Sequence, residues 1–152
     1  MQDNSYRNDR DEMRDLLKQF ENLRTGMSHG FLEEDSFEKI IDYFDEKDDI
    51  AKALEAVELG VGQFPYSASL MVKKADLLIA TRKYNDALEI LEKAEILDSS
   101  DIDIYILKTD VFLALDEHEK AVGLLEDAIS LFDGDNRINL LIELADVYDD
   151  YE

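Results

Sequence analysis

The chain has 152 residues, of which 45% are hydrophobic, and it contains no cysteine. Its 38 acidic and 16 basic residues give a formal net charge of −22 at pH 7, which disfavours binding to nucleic acids and anionic membranes. The absence of cysteine excludes disulfides and thiolate zinc sites, and there is neither a membrane-spanning apolar run nor a signal peptide in the sequence. We therefore predict a cytoplasmic protein.

The first 33 residues are predicted to form an amphipathic helix, over residues 10–25, followed by a linker. Its apolar residues recur at the spacing of one helix face: Met13, Leu16, Leu17, Phe20 and Leu23. Gly26 and Gly30 interrupt the helix, and His29 lies in the linker. Two interpretations stay open: the helix packs on the segment that follows, or its basic and apolar residues, such as Arg10, Arg14 and Leu17, occupy a binding groove of the same molecule or of a neighbouring one.

From residue 34 onward the chain repeats with a period of 34 residues. The repeat is marked by Ala53, Ala87 and Ala121, and a small residue follows each of them seven positions later: Gly60, Ala94 and Ala128. Three units, 34–67, 68–101 and 102–135, each show two segments of helical apolar periodicity. Turns are predicted within the units at 47–48, 82–83 and 116–117, and between them at 64–66, 98–100 and 133–135.

This pattern resembles the tetratricopeptide repeat, whose unit has small residues at positions 8, 20 and 27 and a large residue at position 11. Position 8 is occupied by Ile41, Ala75 and Thr109, and position 11 by Phe44, Leu78 and Phe112. Pro65 matches a frequent proline of the family, whereas Ser99 and Asp133 depart from it, and Phe37, Met71 and Tyr105 replace an early tryptophan. The resemblance implies an all-α fold, a right-handed superhelical array of antiparallel helix pairs over residues 34–152, with an extra N-terminal helix.

Residues 136–152 are predicted to be a partial fourth unit, because residues 144–148 resemble the first-helix signature after a two-residue insertion. Apolar residues from 138 to 151 surround most of this helix, unlike the polar outer face expected of a terminal cap. Two hypotheses follow: the chain is the front part of a longer array, or the helix packs against another copy in a homodimer.

The resemblance also implies a concave groove lined by the first helix of each unit. Its ninth position is the same acid throughout: Asp42, Asp76, Asp110 and Asp146. The fifth and twelfth positions are acidic in the first unit (Glu38 and Asp45) and aliphatic in later ones: Val72, Ile79, Ile106, Leu113 and Ile142. Such a groove favours a basic or basic-apolar protein segment, which charge would orient while apolar burial supplied affinity.

Alternative roles stay open for these acids. Each aspartate is also explained as a solvated helix residue or as a partner of a side chain in the neighbouring repeat, and Asp35 with Glu38 matches a helix-capping pattern. The family's carboxylate clamp holds acidic C-termini with Lys and Asn at the fifth and ninth positions. Here the first unit has Glu38 and Asp42, so a clamp of that kind is not expected.

No catalytic, cofactor or metal site is predicted. Adjacent first helices lie about 10 Å apart, too far for neighbouring aspartates of the groove to share a cation. Phosphate-binding loops, nucleophile elbows and zinc-protease motifs are absent, and His118, which takes the place of Ile50 and Tyr84, is predicted to pack in its hairpin. We predict a non-enzymatic protein-interaction scaffold, and the alternative is a structural or self-assembly module.

Overall fold

The computed structural model describes residues 2–27 and 30–151, and in these ranges the chain forms eight α-helices and no strand. The position of His29 lies outside the described residues. The helices are α1 (Gln2–Arg24), α2 (Glu34–Glu46), α3 (Ile50–Gln63), α4 (Ala68–Ala80), α5 (Tyr84–Leu97), α6 (Ile102–Ala114), α7 (His118–Leu131) and α8 (Gly134–Tyr151). They form two compact units, Met1–Leu77 and Leu78–Glu152. The predicted domain boundary at residue 33 stays a prediction.

The helix boundaries recur at the predicted period of 34 residues. The first helices of the three hairpins begin at residues 34, 68 and 102, and the second helices begin at residues 50, 84 and 118. The predicted turns are confirmed, with one difference: Gly134 and Asp135 belong to α8, so only residues 132–133 separate α7 from α8. Gly134, the first residue of α8, has a φ of +56°, a conformation that glycine adopts without a Cβ penalty.

Each hairpin turn contains a left-handed residue that is not glycine. Asp48, Arg82 and Asp116 have φ values of 57°, 63° and 62°. In each turn the next amide donates to a carbonyl five residues back, at 2.9, 2.8 and 2.8 Å, which is the longer bond of a Schellman motif. The three turns are therefore one structure repeated, and each bears the cost of a Cβ in the left-handed region.

We expect Arg82→Gly to be more stable than Arg82→Ala by about 1 kcal/mol, because both remove the side chain and only alanine retains the unfavourable Cβ. Lys93 is exposed within α5 and serves as a control, since there glycine should be less stable than alanine by about 1 kcal/mol. Urea denaturation of the four variants gives both differences. The same order of stability at both positions would contradict the turn assignment.

In the first unit, α1 packs against α2 and α3. Leu16 and Phe20 are buried in the same core as Phe37, and the rings of Phe20 and Phe44 lie 5.6 Å apart. Of the two interpretations of this helix, packing on the following segment is the one observed. The helix begins at Gln2 rather than near residue 10, since no glycine or proline in residues 2–9 interrupts it.

In the second unit, α6 packs against α7, and α8 packs against both. The small residues predicted to permit close helix approach are confirmed as buried: Ala87, Ala94, Ala121 and Ala128. Leu125 of α7 and Leu140 of α8 are fully buried. Tyr105 is also buried, which raises the pKa of its phenol, with a smaller contribution from the nearby carboxylate of Glu95.

Candidate functional site

The predicted groove residues lie on the first helices of the hairpins and on α8. In the first unit they are Glu38, Asp42, Asp45, Val72 and Asp76, on α2 and α4. In the second unit they are Ile79, Ile106, Asp110, Leu113, Ile142 and Asp146, on α4, α6 and α8. We refer to these two sets as the first-helix faces.

The four aspartates at the ninth repeat position are all exposed: Asp42, Asp76, Asp110 and Asp146. In the three complete repeats each follows directly after a buried residue, namely Ile41, Ala75 and Thr109. Successive residues of a helix point about 100° apart, so burying the eighth position turns the ninth toward the edge of the packed face. Their exposure thus follows from the repeat, whereas their role in binding stays a prediction.

Two acids of the first unit contact side chains of α4. The Lys73 ammonium lies 2.7 Å from the Asp42 carboxylate, and the Ser69 hydroxyl donates to Glu38. For these two acids the alternative of a bond to the neighbouring repeat is therefore observed. The Asp42–Lys73 pair is partly exposed, and such pairs contribute less than about 1 kcal/mol. A basic partner would have to displace Lys73 from Asp42.

The capping role considered for Asp35 and Glu38 is not observed. Helix α2 has Glu33 as its N-cap, with no side-chain hydrogen bond to the helix amides, and Asp35 lies in the first turn. The carboxylate of Asp35 is still favourable there, because acids near a helix N-terminus interact well with the helix dipole. Glu38 therefore does not cap α2. Its carboxylate accepts a hydrogen bond from Ser69, and its side chain belongs to the first-helix faces.

The aliphatic residues of the first-helix faces differ in how much surface they present. Val72 is only 9% exposed, whereas Ile142 is 54% exposed. Ile79, Ile106 and Leu113 are half-buried. Val72 thus belongs mainly to the core of the first unit, and the apolar contribution of these faces would come from the other four residues.

Among the side chains that the structure describes, those of residues 5–27 and 30–151, no group of three or more could hold a metal ion. Over the same residues, no helix is both long enough and apolar enough to cross a membrane.

A groove that the sequence analysis did not identify lies between α7 and α8. It encloses about 400 Å³ and is lined by His118, Glu119, Val122, Gly123, Glu126, Val147, Tyr148 and Tyr151. His118, predicted to pack in its own hairpin, has its ring edge-on to that of Tyr151 in α8. The groove could not be predicted from the sequence, because it depends on the packing of α8 on α7. No short-range spacing in the sequence indicates that packing.

The sequence matches no family model, and no curated protein matches it. Among solved structures, the TPR2B domain of yeast Sti1, in a complex with pHsp70, has a TM-score of 0.68 and 20% identity, covering 76% of this chain and 92% of that one. The first TPR domain of Spaghetti (RPAP3), bound to the HSP90 peptide SRMEEVD, has a TM-score of 0.64 and 18% identity, with coverages of 74% and 90%. This chain has the tetratricopeptide-repeat fold. The predicted all-α fold class is thereby confirmed.

The Sgt2 tetratricopeptide domain from Aspergillus fumigatus is similar as well, with a TM-score of 0.65, 14% identity and coverages of 79% and 80%. The tetratricopeptide fold explains why small residues recur at the close helix contacts. At this level of identity the likeness extends to the fold, so the partner has to be argued from the residues of this chain.

Proposed function

We propose that this chain is a cytoplasmic, non-enzymatic protein-interaction module whose first-helix faces bind a basic or basic-apolar segment of a partner protein. The observation that carries the proposal is an exposed aspartate at the same position of α2, α4, α6 and α8. The RPAP3 and Sti1 domains, which have the same fold, were solved with an HSP90 peptide and with pHsp70. These complexes support a peptide or protein as the partner.

The sign of the charge supports a basic partner. The HSP90 peptide bound by the RPAP3 domain reads SRMEEVD and ends in an acidic segment. In this chain the fifth and ninth positions of the first repeat are Glu38 and Asp42, which would repel such a peptide. A segment with lysine or arginine is complementary to them, and the net charge of −22 would speed its approach at low salt.

The aliphatic residues supply the second part of the recognition. Exposed carboxylates orient a partner and accelerate association more than they add affinity. Ile106 and Leu113 of α6 are half-buried, so part of each side chain can still be removed from water by an apolar residue of the partner. We therefore expect aliphatic side chains to alternate with basic ones in the bound segment.

Selection from a peptide-display library of random sequences, made at low salt, tests the chemistry of the partner. The expected consensus contains lysine or arginine together with leucine, isoleucine or valine. A consensus rich in aspartate or glutamate would contradict the proposal. The strongest selected peptide then serves as the probe for the site.

Asp76→Asn combined with Asp110→Asn is expected to weaken binding of that peptide about tenfold, or about 1.4 kcal/mol, and to reduce its salt dependence. Asp127→Asn on α7 combined with Glu92→Gln on α5 removes the same two charges at exposed sites away from the first helices and should leave affinity unchanged. Lys73→Gln should strengthen binding, because it releases the carboxylate of Asp42. Fluorescence anisotropy titrations measure all three, and equal affinities for every variant would overturn the site.

Self-assembly through α8 is the second candidate function. It is supported by the exposed apolar side chains of Ile138, Leu141 and Ile142. It is opposed by the charge of α8, which carries five acids and one base and would face the same charge on a second copy. Light scattering at micromolar concentration distinguishes the two, since self-assembly requires a mass above that of one chain.

A further inference from the structure

We propose that the groove between α7 and α8 is a second docking site, separate from the first-helix faces, and that it binds a basic amphipathic helix of a partner protein. The groove belongs to the second unit alone and is formed by the N-terminal half of α7 and the C-terminal half of α8. The proposal rests on a comparison of α6 with α8, on the shape of the groove, and on its charge.

Side chains at corresponding positions of α6 and α8 differ in how much of their surface is exposed. Once the two-residue insertion is counted, Leu141 and Tyr148 of α8 correspond to Tyr105 and Phe112 of α6. Tyr105 is 3% exposed and Phe112 is half-buried, whereas Leu141 is 46% and Tyr148 43% exposed. Helix α8 thus presents more of these two positions to solvent than α6 does, and a further helix packed there would bury them.

The walls of the groove leave room for the side chains of a partner helix. The groove encloses about 400 Å³ between α7 and α8. Gly123 lies in its wall on α7, and a Cβ built on Gly123 would have no atom within 4 Å. The side chains of a partner helix can therefore approach the backbone of α7, with Val122 and Val147 as apolar contacts on either side.

The charge around the groove selects a basic partner over a second copy of this chain. Glu119 and Glu126 line it from α7, and Asp149 and Asp150 are exposed near the end of α8. Helix α7 carries three acids and one base, and α8 carries five acids and one base. A second α8 in this groove would bring like charges together, whereas a helix with lysine or arginine beside an apolar stripe would pair with them.

The test uses the full chain and a labelled synthetic 18-residue helix of leucine, lysine and alanine, with leucines at i, i+3, i+4 and i+7 and lysines on both sides of that stripe. A scrambled peptide of identical composition measures non-specific attraction to the acidic protein, and a peptide with glutamate for lysine measures the role of charge. The amphipathic lysine peptide is expected to bind at least tenfold more tightly than either control.

Gly123→Phe fills the groove and should weaken this binding about tenfold, whereas Gly62→Phe should leave it unchanged. Gly62 is the matched control, because it is an exposed glycine of α3 where a Cβ likewise meets no atom within 4 Å. Thermal unfolding followed by circular dichroism checks that both variants fold. Equal effects of the two substitutions, or none from either, would overturn the proposal.

Two further outcomes separate this site from its alternatives. If Asp76→Asn with Asp110→Asn weakens the synthetic helix while Gly123→Phe does not, the peptide occupies the first-helix faces, so this proposal fails and the proposed function stands. If the chain is a dimer by light scattering and Gly123→Phe makes it a monomer, the occupant is a second copy, which also overturns it. A monomer that binds the helix through Gly123 supports it.

Discussion

Gly60→Leu is expected to lower the free energy of unfolding by about 3 kcal/mol, because α3 passes directly against buried side chains at this residue. A Cβ on Gly60 would lie 3.1 Å from Cγ of Phe37 and 3.3 Å from Cδ1 of Leu70. Phe37 and Leu70 are both fully buried, so neither has free space into which to retreat. A leucine there would force the helices apart or its neighbours out of their preferred rotamers.

Gly62→Leu is the control for this prediction. Gly62 lies in the same helix two residues later, is exposed, and has no atom within 4 Å of a built Cβ. Leucine favours the helix over glycine by roughly 0.8 kcal/mol, so this variant should be slightly more stable than the parent chain. Urea denaturation of both proteins gives the comparison. If they lost stability equally, close packing at Gly60 would not be the reason that the residue is small.

Phe20→Ala is expected to cost about 3–5 kcal/mol, the usual price of emptying a phenylalanine site in a core. Phe20 is fully buried in the core of the first unit, although it belongs to the helix that precedes the repeats. Its ring contacts that of Phe44 in α2, and the carboxylate of Glu12 in α1 lies 3.1 Å from the ammonium of Lys39 in α2. Helix α1 is therefore expected to be part of the folded unit.

Phe31→Ala is the matched substitution, because Phe31 is 69% exposed. This variant should lower the free energy of unfolding by less than about 1 kcal/mol. Thermal and urea unfolding of the two variants measure how much stability each substitution costs. A small effect of Phe20→Ala would mean that α1 leaves its packed position readily, and the hypothesis that it occupies the binding groove of its own chain would regain support.

The repeat architecture could be predicted from the sequence because its signals are local and periodic. Ala53, Ala87 and Ala121 mark positions where two helices approach closely, and their spacing fixed the register of every hairpin. The turns were equally visible, because the apolar periodicity stops at each of them. The start of α1 was not visible, since the polar residues before Arg10 carry no apolar periodicity to reveal a helix.

The side-chain pairs of the candidate site were harder to predict. Asp42 pairs with Lys73, and Glu38 with Ser69, across 31 residues in both cases. That spacing is three residues less than the repeat period of 34, so a comparison of residues 31 positions apart in the sequence indicates both pairs. The groove between α7 and α8 has no such signal, because Gly123 and Tyr148 come together only through the packing of α8 on α7.

The most direct test of the central claim is a map of amide chemical-shift changes when the strongest peptide from the display selection is added to the ¹⁵N-labelled chain. We predict that the largest changes cluster around Asp42, Asp76 and Asp110, on the first helices of the repeats. Changes confined to the second helices α3, α5 and α7, with these three positions unaffected, would contradict the proposed binding faces.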